Sequence, residues 1–198
     1  MRCMSKKNPR PMARFDTPII ETHCHLDYLE PAQLHDTLDQ ARAVGVERFV
    51  TIAVSPDNLE AVLRLTEQST DIWGTQGIHP HEADAWDSAV AEQVRRGCGH
   101  ARVVALGEIG LDYHYDHADR RAQAVAFEAQ LALAAELNLP VVIHTRDADD
   151  DTRAILANAC GSLAKKGVIH SFTSSLELAE YCLGEGFFLG FNGIVTFN

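Results

Sequence analysis

Positive charge is scarce in this chain. Its 198 residues hold 17 Lys and Arg against 28 Asp and Glu, for a formal net charge of −11. Five of the basic residues (Arg2, Lys6, Lys7, Arg10, Arg14) fall within the first 14 positions, where there is no acid, so the remainder carries a net −16. A broad basic face for non-specific binding to nucleic acid is thereby excluded, and any phosphate-bearing ligand must be held locally. Membrane-length apolar runs are also absent, which excludes a spanning helix. Cysteine is limited to Cys3, Cys24, Cys98, Cys160 and Cys182, odd in number and without a CxxC pair, so neither a disulfide scaffold nor a thiolate metal knuckle is expected. This usage fits a reducing compartment, by default the cytoplasm. No GxGxxG or GxxxxGK[ST] follows a predicted strand and no GxSxG elbow occurs, which argues against a dinucleotide fold, a P-loop and a serine hydrolase.

Composition is otherwise that of a globular protein, with 46% hydrophobic and 23% charged residues. The basic, proline-containing segment 1–17 reads as a leader outside the fold, and residues 18–198 read as one domain. Short runs of Val, Ile and Phe alternate with segments of helical period, the pattern of βα units feeding a parallel sheet. Seven strands are expected, near Ile19–Thr22, Arg48–Val54, Ile72–Gly77, Val103–Gly107, Val141–His144, Val168–His170 and Phe187–Gly190. Ser55 and Pro56 read as a helix start, as does Ser175. The clearest helix spans Ala118–Leu137, with Ala124, Phe127, Leu131 and Ala135 on one face and Asn138 and Pro140 closing it.

The strands recur about every 28 residues with no linker between them, which favours a TIM (β/α)8-type barrel, here with about seven βα units and the eighth missing. An open doubly wound sheet is the alternative. An eighth strand is expected at about residue 215, beyond Asn198, and a barrel lacking it is expected to be marginally stable or oligomeric.

The polar residues at the strand ends carry the chemistry. His23 and His25 alternate onto one face of the first strand while Cys24 points away. The fourth strand ends in Glu108, the fifth in His144 and the sixth in His170, all at the carboxyl rim where barrels keep their sites. Each histidine alone reads as a hydrogen-bonded strand end. Several nitrogens and a carboxylate at one height read instead as a site for a divalent metal, and a bridging carboxylate suits a two-metal centre. His79 and His81 flank Pro80, which breaks strand alternation, so the pair is not read as two ligands. His79 is read as a substrate contact or support for a ligand, His81 as a loop residue. Arg146 either clamps an anionic oxygen or pairs with Asp147 or Asp149. Asp27 and Asp112 either orient ligand histidines or cap loops, and the acidic run Asp147, Asp149, Asp150, Asp151 opens a helix.

The ordered stretches ETHCHLD, GIHPH, GEIGLDYH, LPVVIHTRDA, VIHSFTSS and GFNGIVTF resemble the TatD family of metal-dependent deoxyribonucleases, and the resemblance covers residues 19 to 197. It implies a TIM-barrel hydrolase related to the amidohydrolases, cleaving DNA phosphodiesters from the 3′ end with a metal-activated water. It further implies that His23, His25 and Glu108 hold one divalent ion and that Glu108, His144 and His170 hold a second, the metals being Mg, Mn or Zn. Arg146 and His79 are the substrate-contact candidates. DNA would be the partner, held at the metal site, with no membrane and no obligate protein partner. Glu21 and Ser174 depart from the family pattern, and a family aspartate on the eighth strand, the expected catalytic group, lies beyond Asn198. An amidohydrolase-like reaction on a small substrate, or a non-catalytic metal-binding remnant, are the competing expectations.

Overall fold

The computed structural model describes residues 14–115 and 117–197, so most of the basic leader lies outside the described residues. Seven parallel strands form one curled sheet, and their spatial order follows the chain from first to last. They are β1 (Ile19–Cys24), β2 (Val46–Thr51), β3 (Ile72–Gln76), β4 (Val103–Asp112), β5 (Val141–Arg146), β6 (Gly167–Ile169) and β7 (Phe188–Leu189). Between them run α1 (Pro31–Ala43), α2 (Leu59–Gln68), α3 (Ser88–Cys98), α4 (Arg120–Leu137), α5 (Asp149–Ala159) and α6 (Leu176–Gly184). Strictly sequential order is that of a barrel sheet. A doubly wound sheet reverses direction at a switch point, so that alternative is overturned.

The main core lies where the helices cover the sheet. Leu106, Ile109, Leu111, Val141, Ile143 and Ile169 from the strands meet Phe127, Leu131, Leu156 and Leu178 from the helices, all essentially buried. At about 25 cal/mol per Å2 of apolar surface, this burial is the main force holding the layers together. Helix starts follow local signals in most cases. Asp119 accepts from the backbone N–H groups of Arg121 and Ala122, Ser175 accepts from Leu178 N, and Asn138 closes α4 in the left-handed conformation at φ 54°. Asp149, Asp150 and Asp151 form the first turn of α5, where acids favour the helix dipole.

Three expectations require correction. The second helix begins at Leu59, not at Ser55, because Asn58 turns its side-chain oxygen back onto Val54 N and Ser55 N at 3.0 Å each. The buried stripe of α4 is wider than expected: Gln123, Ala126, Phe127, Gln130, Leu131, Leu133 and Ala134 are buried, with Ala124 and Ala135 half-buried against the same core. Two glutamines sit in that stripe because both clamp backbone: Gln130 pairs with N and O of Ile78 at 2.8 and 3.0 Å, and Gln123 with N and O of Asp112 at 2.8 and 3.1 Å. Glu108 does not end its strand. β4 continues to Asp112, and its register with β5 shifts between Gly107 and Ile109.

That irregularity needs close backbone approach. A Cβ on Gly110 would lie 1.9 Å from the carbonyl oxygen of His144, and Gly110 sits at φ +138°, which L side chains rarely adopt. Gly110→Ala is therefore expected to push β4 off β5 and to destabilise the protein by about 3 kcal/mol or more, read as a fall in the urea midpoint of the metal-free protein.

Candidate metal centre

The carboxyl ends of β1, β4, β5 and β6 face one cleft of about 370 Å3. His23 is the fifth residue of β1 and His25 follows the strand's last residue, so alternation turns both rings toward the cleft, with centroids 5.3 Å apart. Cys24, between them, faces away and donates to Val50 O at 3.4 Å.

Glu108 is the centre of the arrangement. The shift in β4 lets its N–H reach Ala53 O, beyond the end of β2, at 3.0 Å, and its carboxylate is 4% exposed. Oε2 lies 3.3 Å from His23 Nε2, while Oε1 lies 3.2 Å from His144 Nδ1 and 3.8 Å from His79 Nε2. Burial alone would raise the carboxyl pKa. The hydrogen bonds from His144 and His23, with the surrounding imidazoles, overcome that and hold it well below the usual range.

His144 is gripped from both sides. Its Nε2 lies 2.9 Å from Asp112 Oδ2, the oxygen that also meets His81 Nε2 at 3.0 Å. Burial opposes the charged imidazole, but the two carboxylates win and raise its pKa to about 9. Asp112 is itself fixed: Oδ1 accepts from the N–H groups of His114 and Tyr115, and its backbone is clamped by Gln123. Despite burial, the hydrogen bonds from His144, the Tyr115 N–H and His81 depress its carboxyl pKa far below the ordinary value. Asp112 thus caps its loop and orients a histidine at once. The DYH run in the sequence carried that signal, whereas the part played by His81 was hidden by Pro80.

His79 is different. Its Nδ1 accepts from His81 N at 3.1 Å, so in the neutral ring the proton sits on Nε2, the atom facing Glu108. Desolvation by burial keeps the ring neutral, lowering its pKa to about 3. His170 stacks on His23 with centroids 3.3 Å apart and planes at 9°, and burial followed by the nearby His23 charge lowers its pKa to about 4. Arg146 places its guanidinium 5.0 Å from the ring centroid of Tyr115. Neither expected ion-pair partner holds it: Asp147 pairs with His114 and Asp149 accepts from Ser175 N.

Among the described residues, two sets of donor atoms lie within 4.8 Å of one another, His23–His25–Glu108 and His79–Glu108–His144. Glu108 belongs to both. His170 enters neither set and lies beside the first. The donors fit a divalent ion on one further observation: Nδ1 of His23 and Nδ1 of His25 are buried with no hydrogen-bond partner, and Nε2 of His23 has the Glu108 carboxylate before it at 3.3 Å. Buried polar atoms without partners are rare, and an ion taking one nitrogen from each ring would supply a partner there. A neighbouring groove of about 840 Å3 is lined by Asp147, Asp149, Asp150 and Asp151, a field that repels phosphate.

The family model of TatD-related DNases matches residues 20–198. A metal-dependent hydrolase of uncharacterised function from Bacillus subtilis (strain 168), YabD, is 36% identical over 180 residues, covering 90% of this chain and 70% of that protein. The 3′-5′ ssDNA/RNA exonuclease TatD of Erwinia tasmaniensis is 40% identical over 157 residues, covering 79% of this chain and 60% of its own length. Among solved structures, the TatD homologue YJJV of Escherichia coli K12 superposes with a TM-score of 0.81 at 32% identity, covering 90% of this chain and 69% of that one. The chain thus spans 60 to 70% of the length of these relatives. By its matched length and this likeness, the chain belongs to the TatD-related DNase family.

Proposed function

We propose that this chain carries the metal centre of a phosphodiesterase that removes nucleotides from the 3′ end of DNA, using two divalent ions, Mg, Mn or Zn. The observation that carries the reading is Glu108, a buried carboxylate shared by two sets of donors. His23, His25 and Glu108 would hold one ion; Glu108 and His144 of the second set would hold the other, joined by His170, which the family resemblance assigns there in place of His79. Divalent ions bound there supply Lewis acidity and positive charge to a hydrolytic site. The 3′ polarity and the nucleic-acid substrate are carried from relatives such as the Erwinia exonuclease. DNA is held at the centre and not along a face, consistent with the net charge of −11. Among the described residues no helix is long and apolar enough to cross a membrane, and Cys24, Cys98, Cys160 and Cys182 are free thiols, which supports a cytoplasmic setting.

The protein groups divide the work. Asp112 keeps His144 in one ring orientation with Nδ1 toward Glu108, as carboxylates behind ligand histidines do. His79 has its Nδ1 lone pair occupied by His81 N–H, so it serves as a neutral N–H donor to a substrate oxygen and not as a ligand. Arg146 sits at the rim, where it would meet an outer phosphate oxygen.

Three results are expected. With Mn or Mg, the protein releases nucleotides from the 3′ end of single-stranded DNA, and chelation or His144→Ala reduces release to background. Hydrolysis of small amides with none of DNA would replace this reading. Asp112→Asn weakens metal affinity by about 10- to 100-fold in a chelator competition. His79→Ala lowers kcat by about 100- to 1,000-fold while metal affinity holds; a parallel loss of metal would make His79 a ligand instead.

A further inference from the structure

Tyr28 has no role in the centre described above, yet it borders it. The ring lines the cleft alongside His25, Glu108 and His170. It is 67% exposed and belongs to none of the hydrophobic clusters. One face rests on the His25 ring, with centroids 5.2 Å apart and planes at 11°. An aromatic ring left this open in water forgoes burial that Tyr side chains ordinarily seek.

The display is rigid. Tyr28 closes the 3-10 turn Leu26–Tyr28, whose first residue is buried and donates its N–H to Thr51 Oγ1 at 3.2 Å. Asp27 is tied across to Asn58 Nδ2 at 2.9 Å. A second exposed aromatic at the rim, Tyr115, is already engaged, with Arg146 5.0 Å from its centroid and His117 near-parallel at 5.8 Å. Tyr28, within the cleft lining, keeps a face to offer.

We infer that Tyr28 is a base-stacking platform, binding a nucleobase of a single-stranded end whose phosphate lies at the Glu108 cluster. This rests on the phosphodiesterase reading above and adds to it a source of affinity. The acidic balance of the chain withholds the counterion-release term that usually binds nucleic acid, so a strand end must be held by contacts that do not depend on surface charge. Stacking on an aromatic face is such a contact, it tolerates any base, and it requires an unpaired strand.

The test uses the full chain with Mn and a labelled single-stranded deoxyoligonucleotide carrying 3′-phosphorothioate links, against the same strand with its last few 3′ bases removed. Fluorescence anisotropy reads Kd, and nucleotide release from the unmodified strands is followed in parallel. Tyr28→Ala is expected to raise Kd for the base-bearing strand by about 10-fold and to leave the abasic strand within about twofold. Tyr28→Trp restores binding. Chelator competition shows whether His25 still binds metal in each variant. An equal change on both strands, or no change on either, overturns the assignment. If the wild type binds but releases nothing, the phosphodiesterase reading falls while the Kd ratio still decides stacking. If it releases nucleotides and Tyr28→Ala leaves the ratio unmoved, stacking alone falls. Failure to bind either strand overturns both.

Discussion

A carboxylate at 4% exposure is stable only where positive charge or hydrogen-bond donors surround it, and Glu108 is surrounded by three imidazoles from three parts of the chain. The rim is arranged to meet that demand. β4 shifts register so that Glu108 turns inward, Gly110 lets the shifted strand lie against β5, and β5 brings His144 alongside. Remove the carboxylate and His23 Nε2, His79 Nε2 and His144 Nδ1 would lose the acceptor they share. A divalent ion held at Glu108, as proposed, would complete the same balance.

Precision at the rim comes from the layer outside it. Gln123 and Gln130 lie in the buried stripe of α4 and spend their amides on the backbones of Asp112 and Ile78. One helix therefore fixes both the residue that orients His144 and the residue before His79. A buried amide with every group satisfied is highly directional, because any shift leaves donors or acceptors unpaired in a low-dielectric interior. This is how a chain segment remote from the chemistry holds two loops of the site in register.

Much of this was legible in the sequence. The seven strands, the barrel order and the spread of His23, His25, Glu108, His144 and His170 follow from period-2 and period-3.6 patterning and from residue type at strand ends. What was not legible has physical causes. Hydrophobic periodicity scores glutamine as polar and so passed over Gln123 and Gln130 on the buried face of α4. Asn58 competes for the backbone at the start of α2, which a cap signal at Ser55 could not reveal. The strand ending at Gly107 looked complete because glycines punctuate strands, whereas here they permit close approach.

The sequence by itself determined the class of fold, the chemical identity of the donors and the sign of the surface charge, since these depend on local pattern and composition. Only the tertiary structure decided how the donors are shared. That His79 keeps its Nδ1 for His81 N–H, that Asp112 grips both His144 and His81, and that Tyr28 lies on His25 with its other surface open are facts about angles and distances between side chains. His144 and Asp112 are 32 residues apart and His81 and Asp112 are 31 apart, so their meeting depends on how the sheet curls and where β4 slips. No local pattern encodes that geometry, because it is set by packing across the whole barrel.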